Sequence, residues 1–126
     1  MAPASSTIQV TTPGTVVDAA VRVNIDHNWT EDVDLTLAAP DGTTVELSTD
    51  NGGSGDDYVD TLFTDGATDS IINGTPPFTG SFQPEQPLSS VSSQTAAGDW
   101  TLHAVDDESG IDGKILGYDL FLCVTP

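Results

Sequence analysis

The sequence predicts an all-β chain, a β-sandwich or jelly roll of short antiparallel strands. Three observations carry this. Apolar residues recur at every second position in several runs, no window sustains a 3.6-residue repeat with caps, and the runs are parted by loops of Gly, Pro, Asp and Ser. At 126 residues the chain is expected to form one domain, residues 1–126, long enough to bury roughly two thirds of its unfolded surface around a single core.

The first strong element is "TVVDAAVRVNIDH", in which Val17, Ala19, Val21, Val23 and Ile25 alternate with Asp18, Arg22, Asn24 and Asp26. That pattern puts one face on a core. "VDLTLAA" repeats it with Val33, Leu35 and Leu37, and "TTVEL" follows with Val45 and Leu47. Between these two lies Pro40-Asp41-Gly42, a preset φ, a side-chain acceptor and a free φ in succession, so the pair reads as a hairpin. Leu62 to Thr64, Phe78 to Phe82 and Trp100 to Val105 add further strands, with Trp100, Leu102 and Ala104 on the core side. The last run, Ile115 to Val124, is apolar on both parities and is expected to be a central strand with two covered faces. Its cysteine, Cys123, is expected to be a buried, inert thiol.

Twenty Asp and Glu stand against two basic residues, Arg22 and Lys114, for a net charge of −18. Such a surface repels phosphate backbones and anionic headgroups, which excludes nucleic acid and membrane surfaces as partners. One cysteine permits no internal disulfide. No apolar stretch approaches the ~20 residues of a membrane span, and the N-terminal residues lack the pattern of a signal peptide, so localisation has to be inferred from elsewhere. The sequons Asn28-Trp29-Thr30 and Asn73-Gly74-Thr75 are too short to supply it.

The densest chemistry lies in "STDNGGSGDDYVDTLFTDG", residues 48 to 66. Asp50, Asp56, Asp57, Asp60 and Asp65 offer carboxylates, Asn51 and Ser54 neutral oxygens, and Gly52, Gly53 and Gly55 let carbonyls turn inward. A flexible chain of hard oxygen donors suits Ca²⁺, which takes six to eight of them. The spacing is not that of an EF-hand, and "GGSGDD" is a single copy of a calcium nonapeptide that needs stacked repeats. If the strands near 21–27, 33–39 and 44–49 run up, down and up, the loops at 28–32 and after Asp50 share one end, where Glu31 and Asp32 can join. A second acidic turn, "DDESGIDG" from Asp106 to Gly113, supplies a further candidate ligand in Asp106. Against this stands composition alone, because Asp and Gly are ordinary turn formers. Zinc and copper are disfavoured by the near absence of imidazole and thiolate.

Catalysis finds little support. His27 and His103 are the two histidines, no nucleophile elbow accompanies either, and both read as structural strand residues. No carboxylate pair is set apart in an apolar pocket, so the chain is read as a non-enzyme. Trp29 and Tyr58 fall in expected loops at one end, either as an exposed aromatic patch or as buried plugs.

Taken in order, a strand ending in His27, Asp34-Leu35, Pro40 with Gly42-Thr43, Phe82 with Pro84 and Leu88, Gly98 with Trp100 and Leu102, Asp106, and Gly113 before the last strand make a specific set. With them the chain resembles the P-domain, or P/Homo B domain, that follows the catalytic domain of kexin- and furin-like proprotein convertases, in its bacterial, secreted branch. The resemblance spans about Thr15 to Val124. It implies a jelly-roll sandwich of eight to nine strands of the galactose-binding-like kind. It also implies a non-catalytic role, supporting the folding and stability of an adjoining secreted subtilisin-like (or other) protease and tuning its calcium and pH dependence, outside the cell or on its surface. Tyr118 departs from the family, which often has Trp there. Two other readings remain open: an adhesion or substrate-binding module that takes polysaccharide or protein through Trp29 and Tyr58, and a plain spacer whose acidity suits a salty habitat.

Overall fold

The computed structural model describes residues 4–27, 33–49, 58–74, 78–106 and 113–125. Eight strands are present among them: β1 (Ala4–Val10), β2 (Thr15–His27), β3 (Val33–Ala38), β4 (Thr44–Thr49), β5 (Tyr58–Phe63), β6 (Phe78–Phe82), β7 (Gly98–Asp106) and β8 (Gly113–Thr125). They form two four-stranded sheets, β1-β7-β3-β4 and β6-β5-β2-β8. All pairings are antiparallel except β5 with β6. This is the expected all-β sandwich.

Alternation explains the strands, and bulges explain where it breaks. In β3 the pattern is clean, with Val33, Leu35 and Leu37 fully buried. The Pro40-Asp41-Gly42 turn closes the hairpin to β4 as expected: the Gly42 N–H donates to the Ala39 carbonyl at 3.0 Å and the Thr43 N–H to the Asp41 carboxylate at 2.8 Å. In β4 a register shift opposite Leu35 and Thr36 leaves one extra residue, so both Leu47 and Ser48 turn inward. A similar bulge in β2 sends Val16 into the core and leaves Val17 55% exposed, the reverse of the simple alternation for Val17.

The core joins the two sheets. Trp100 is fully buried and its indole N–H donates to the Ala96 carbonyl at 2.8 Å, while Tyr118 of β8 donates its hydroxyl to the Trp100 carbonyl at 2.6 Å. Tyr118 therefore ties the second sheet to the first. Tyr58 stacks on Phe78 with ring centroids 5.0 Å apart, and Phe78 meets Phe82 edge to face at 5.9 Å. The short 3₁₀ helices Ile71–Asn73 and Leu88–Val91 push Ile71, Leu88 and Val91 into the same interior.

Two expectations are corrected and one strand is added. β8 is the end strand of its sheet, with β2 as its strand partner among the described residues, not a central strand. Cys123 follows from this: it lies on the outward parity of that strand and is exposed. β1 has no counterpart in the sequence reading, since "ASSTIQV" is mostly polar and is held as a strand by long-range pairing with β7.

The two ends of the sandwich differ. At one, Gly98 (φ +133°) begins β7 so close to Pro40 that a Cβ there would stand 2.6 Å from the proline Cβ. Gly14 (φ +125°) likewise leaves no room for a Cβ against the Thr125 carbonyl oxygen. At the other end lie His27, Val33, Thr49, Tyr58, Asp106 and Gly113, as the registers Ile25↔Tyr58, His27↔Gly113, Val33↔Asp106 and Asp34↔Thr49 require.

Candidate cation-binding end

Those registers carry the main functional consequence of the fold. The connections 28–32, 50–57 and 107–112 all leave from the same end, and between them they hold Glu31, Asp32, Asp50, Asp56, Asp57, Asp107, Glu108 and Asp112, eight of the chain's 20 acids. The shared end expected from strand direction is thus realised by their anchors, and the connection after Asp106 belongs to it as well. Asp50, Asp56 and Asp57 themselves lie outside the described residues, as does Trp29. Asp106 ends β7 opposite Val33, with its side chain outside the described set.

The two remaining candidates are placed elsewhere. Asp60 sits in β5, not in a loop, at a bulge where its own backbone is left-handed (φ +47°). Asn24 fills the gap that this bulge opens, accepting from the Asp60 N–H at 2.8 Å and donating to its carboxylate at 3.0 Å. Asp65 lies beyond the far end of β5 and uses both carboxylate oxygens to accept the N–H groups of Leu88 (2.8 Å) and Ser89 (2.9 Å). It satisfies the otherwise orphaned donors at the start of the 3₁₀ helix Leu88–Val91, a structural task. The five acids of residues 48–66 therefore do not gather as one set. Among the described residues no three His, Cys, Asp or Glu side chains stand close enough to hold a metal ion.

Beside Thr49, the last described residue before the 50–57 connection, the structure adds two carboxylates that the sequence reading did not select as ligands. Glu85 accepts the Thr49 N–H at 2.5 Å and the Thr49 hydroxyl at 2.7 Å, at the last residue before the 50–57 connection. It reaches that point because the segment after β6 runs along β4, with the Glu85 and Gln86 N–H groups donating to the Leu47 and Glu46 carbonyls at 3.1 and 2.9 Å. Asp34, one of whose oxygens is buried, pairs across from Thr49. The Tyr58 hydroxyl lies 3.0 Å from the Ser48 hydroxyl. Burial pushes the Tyr58 phenol well above its usual range, the Ser48 hydrogen bond works against this, and the Glu85 and Asp34 charges add to it. Tyr58 is thus a neutral core residue, 1% exposed, and the exposed-patch reading fails for it while the buried-plug reading holds.

His103 points away from the core on β7 and is exposed. His27 ends β2 opposite Gly113. No helix among the described residues is long and apolar enough to cross a membrane.

The family profile described as proprotein convertase P-domain matches residues 16–122. Among solved structures, the serine protease of Aeromonas sobria superposes with a TM-score of 0.62 at 19% identity over 96% of this chain. The complex of the Aeromonas sobria serine protease with its chaperone gives a TM-score of 0.62 at 20% identity, again over 96% of this chain. In both the match covers 23% of the other chain, so this sequence spans about a quarter of the proteins it superposes on. No significant match was found among curated proteins.

Proposed function

The chain belongs to the proprotein convertase P-domain family, and on that premise we propose that it is a non-catalytic, calcium-binding accessory domain that stabilises an adjoining exported protease and assists its folding. The observation that carries the reading is the convergence of three acidic connections on one end of a sandwich whose family match runs through 16–122. Brought together without a counter-ion, those carboxylates repel one another. An oxygen-loving dication relieves the repulsion, and Asp50, Asp56, Asp57 and Asp106 are the residues assigned to it here. Glu85, held by Thr49, adds a carboxylate at the last residue before the 50–57 connection. Asp60 and Asp65 are given structural work instead.

The mechanism is linkage. An ion that binds only the folded chain adds RT ln(1 + [L]/Kd), about 2.7 kcal/mol at a hundredfold excess over Kd. Export to a calcium-rich exterior would then switch the domain, and with it the neighbouring protease, to its stable form. An adhesive role through Tyr58 loses its basis in the burial of that ring. The test is to produce the longer parent chain with and without residues 16–122. The reading expects the shortened chain to give little soluble, folded protease, and equal yield and thermal stability from both would overturn it.

A further inference from the structure

We propose that the outward face of the second sheet carries a binding site for neutral saccharide, a sugar unit of an uncharged glycan seated between Phe121 and Asp60. A hollow of about 540 Å³ opens there across all four strands, lined by Ala20, Arg22, Asp60, Leu62, Ser81 and Phe121. Its size lies within the roughly 300–1,000 Å³ of small-molecule sites. The pairing registers explain why these residues meet. Ser81, Leu62, Arg22 and Asp119 stand in one row across β6, β5, β2 and β8, and Ala20 with Phe121 belongs to a neighbouring row. All are strand residues outside the acidic connections, so the site is independent of the function proposed above.

The backbone leaves regular strand geometry at the rim of this hollow. Between the pairs Tyr58↔Phe78 and Thr61↔Gly80, β5 carries one residue more than β6. The bulge leaves Asp60 left-handed (φ +47°) and exposed beside the outward residues, and re-aiming a side chain is what such bulges do. A non-glycine residue held in this region costs about 1–3 kcal/mol, and strain of this kind gathers at ligand sites. Gly80 is left-handed too (φ +97°), yet a Cβ there would meet nothing within 4 Å. It serves the turn of the backbone, not packing, and leaves that side of the hollow open.

The polar groups are held in place without being used up. Arg22 donates Nε and Nη2 to one Asp119 oxygen at 3.0 and 2.8 Å, and its guanidinium carbon lies 5.5 Å from the centre of the Phe121 ring. Fork and ring are fixed together while Nη1 keeps its donors. Asp60 accepts from the Asn24 amide through one oxygen at 3.0 Å. The other oxygens of Asp60 and Asp119 and the Ser81 hydroxyl have no protein partner among the described residues.

Those groups select the ligand. Donors and acceptors lie side by side, which suits hydroxyls, since each hydroxyl both donates and accepts. An anion is rejected, because Asp119 already offsets Arg22, Asp60 leaves the hollow net negative, and the whole chain carries −18. A small cation would meet the carboxylates but gain nothing from Leu62 and Phe121, and Arg22 would repel it. A pyranose offers both kinds of surface, C–H groups for the face of an aromatic ring that is 47% exposed and hydroxyls around its edge. The site is distinct from the Trp29 and Tyr58 patch raised from sequence, since Tyr58 turns into the core from the other side of β5.

NMR titration of the isotope-labelled full chain, in calcium, tests this. The probes are neutral hexasaccharides of β-linked glucose, α-linked glucose, mannose and N-acetylglucosamine, with oligogalacturonate and the glucosamine hexamer as anionic and cationic arms. The expected result is saturable shifting of the Ala20, Arg22, Leu62 and Ser81 amides by at least one neutral sugar and none by oligogalacturonate. Phe121→Ala and Asp60→Asn should each weaken that binding at least fivefold, the second being chosen because Asn accepts a left-handed backbone. Phe121→Trp should retain it, and His103→Ala on the other sheet should leave it unchanged. No saturable shift with any of the neutral sugars overturns the proposal, as does binding indifferent to both Phe121→Ala and Asp60→Asn. Tighter binding of the glucosamine hexamer than of every neutral sugar would make the hollow a cation site and overturn it too.

Discussion

The two ends of this sandwich are closed by opposite means. At the Gly14/Gly98 end, chain meets chain directly: backbone runs against Pro40 and Thr125 with no room for a side chain, and the one Asp of the hairpin turn, Asp41, is satisfied by the Thr43 N–H. At the other end, six strand termini bear three connections whose sequences hold eight carboxylates, with Asp34 and Glu85 both beside Thr49 at the root of one of them. The first end has its stability built into covalent geometry and packing. On the function proposed above, the second depends on the ions dissolved around it. A domain arranged this way can be permanently assembled at one pole and conditional at the other, which suits a module that reports on its surroundings.

The largest expected effect breaks the permanent end. Gly98→Ala adds a Cβ 2.6 Å from Pro40 at a φ of +133°, and strain with overpacking should cost about 2–5 kcal/mol. Urea unfolding should show this loss equally in chelator and in calcium, because the contact has no part in the acidic end. Next comes Glu85→Gln, which keeps the shape but weakens two charge-assisted hydrogen bonds to Thr49. A loss of about 1–2 kcal/mol is expected, and unlike Gly98→Ala it should also reduce the stabilisation by calcium.

The smallest effect is at Asp41. Its carboxyl is held below the ordinary 3.8, first by the Thr43 N–H and then by the Thr43 side chain. A depressed pKa means a contribution present above the unfolded value and lost as pH falls through the folded one. Asp41→Asn should therefore be slightly less stable than the parent at neutral pH, with the difference closing below about pH 4. Thermal melts across that range would show it, and a difference that widens in acid would contradict the assignment.

What was legible in the sequence was local. The β3–β4 hairpin is written in one alternation and one turn, and Trp100, Leu102 and Ala104 declare their face without help from the rest of the chain. What was not legible depends on partners distant in sequence. β1 is a strand because β7 pairs with it, and its own Ser and Thr residues argue otherwise. Tyr58 looks like loop because Asp56, Asp57 and Asp60 surround it, and the bulge at Asp60 hides the start of β5. β8 has a central strand's composition, so its edge position and the exposure of Cys123 follow only from sheet order. Among the candidate ligands, sequence correctly grouped the loops by strand direction but could not separate Asp65, which caps a 3₁₀ helix 23 residues on, from acids at the open end. Glu85 escaped notice for the same reason. It is a lone acid among prolines until the run along β4 places it beside Thr49.

The central claim is that the acidic end is a site for one kind of ion. Thermal unfolding of the chain in chelator, in calcium and in magnesium, at matched ionic strength so that general screening of the −18 charge cancels, tests it most directly. The account predicts a large upward shift in Tm with calcium alone, diminished by Asp57→Asn and by Asp106→Asn and left intact by Asp65→Asn once its own structural loss is subtracted. Equal shifts from calcium and magnesium, or none from either, would contradict it.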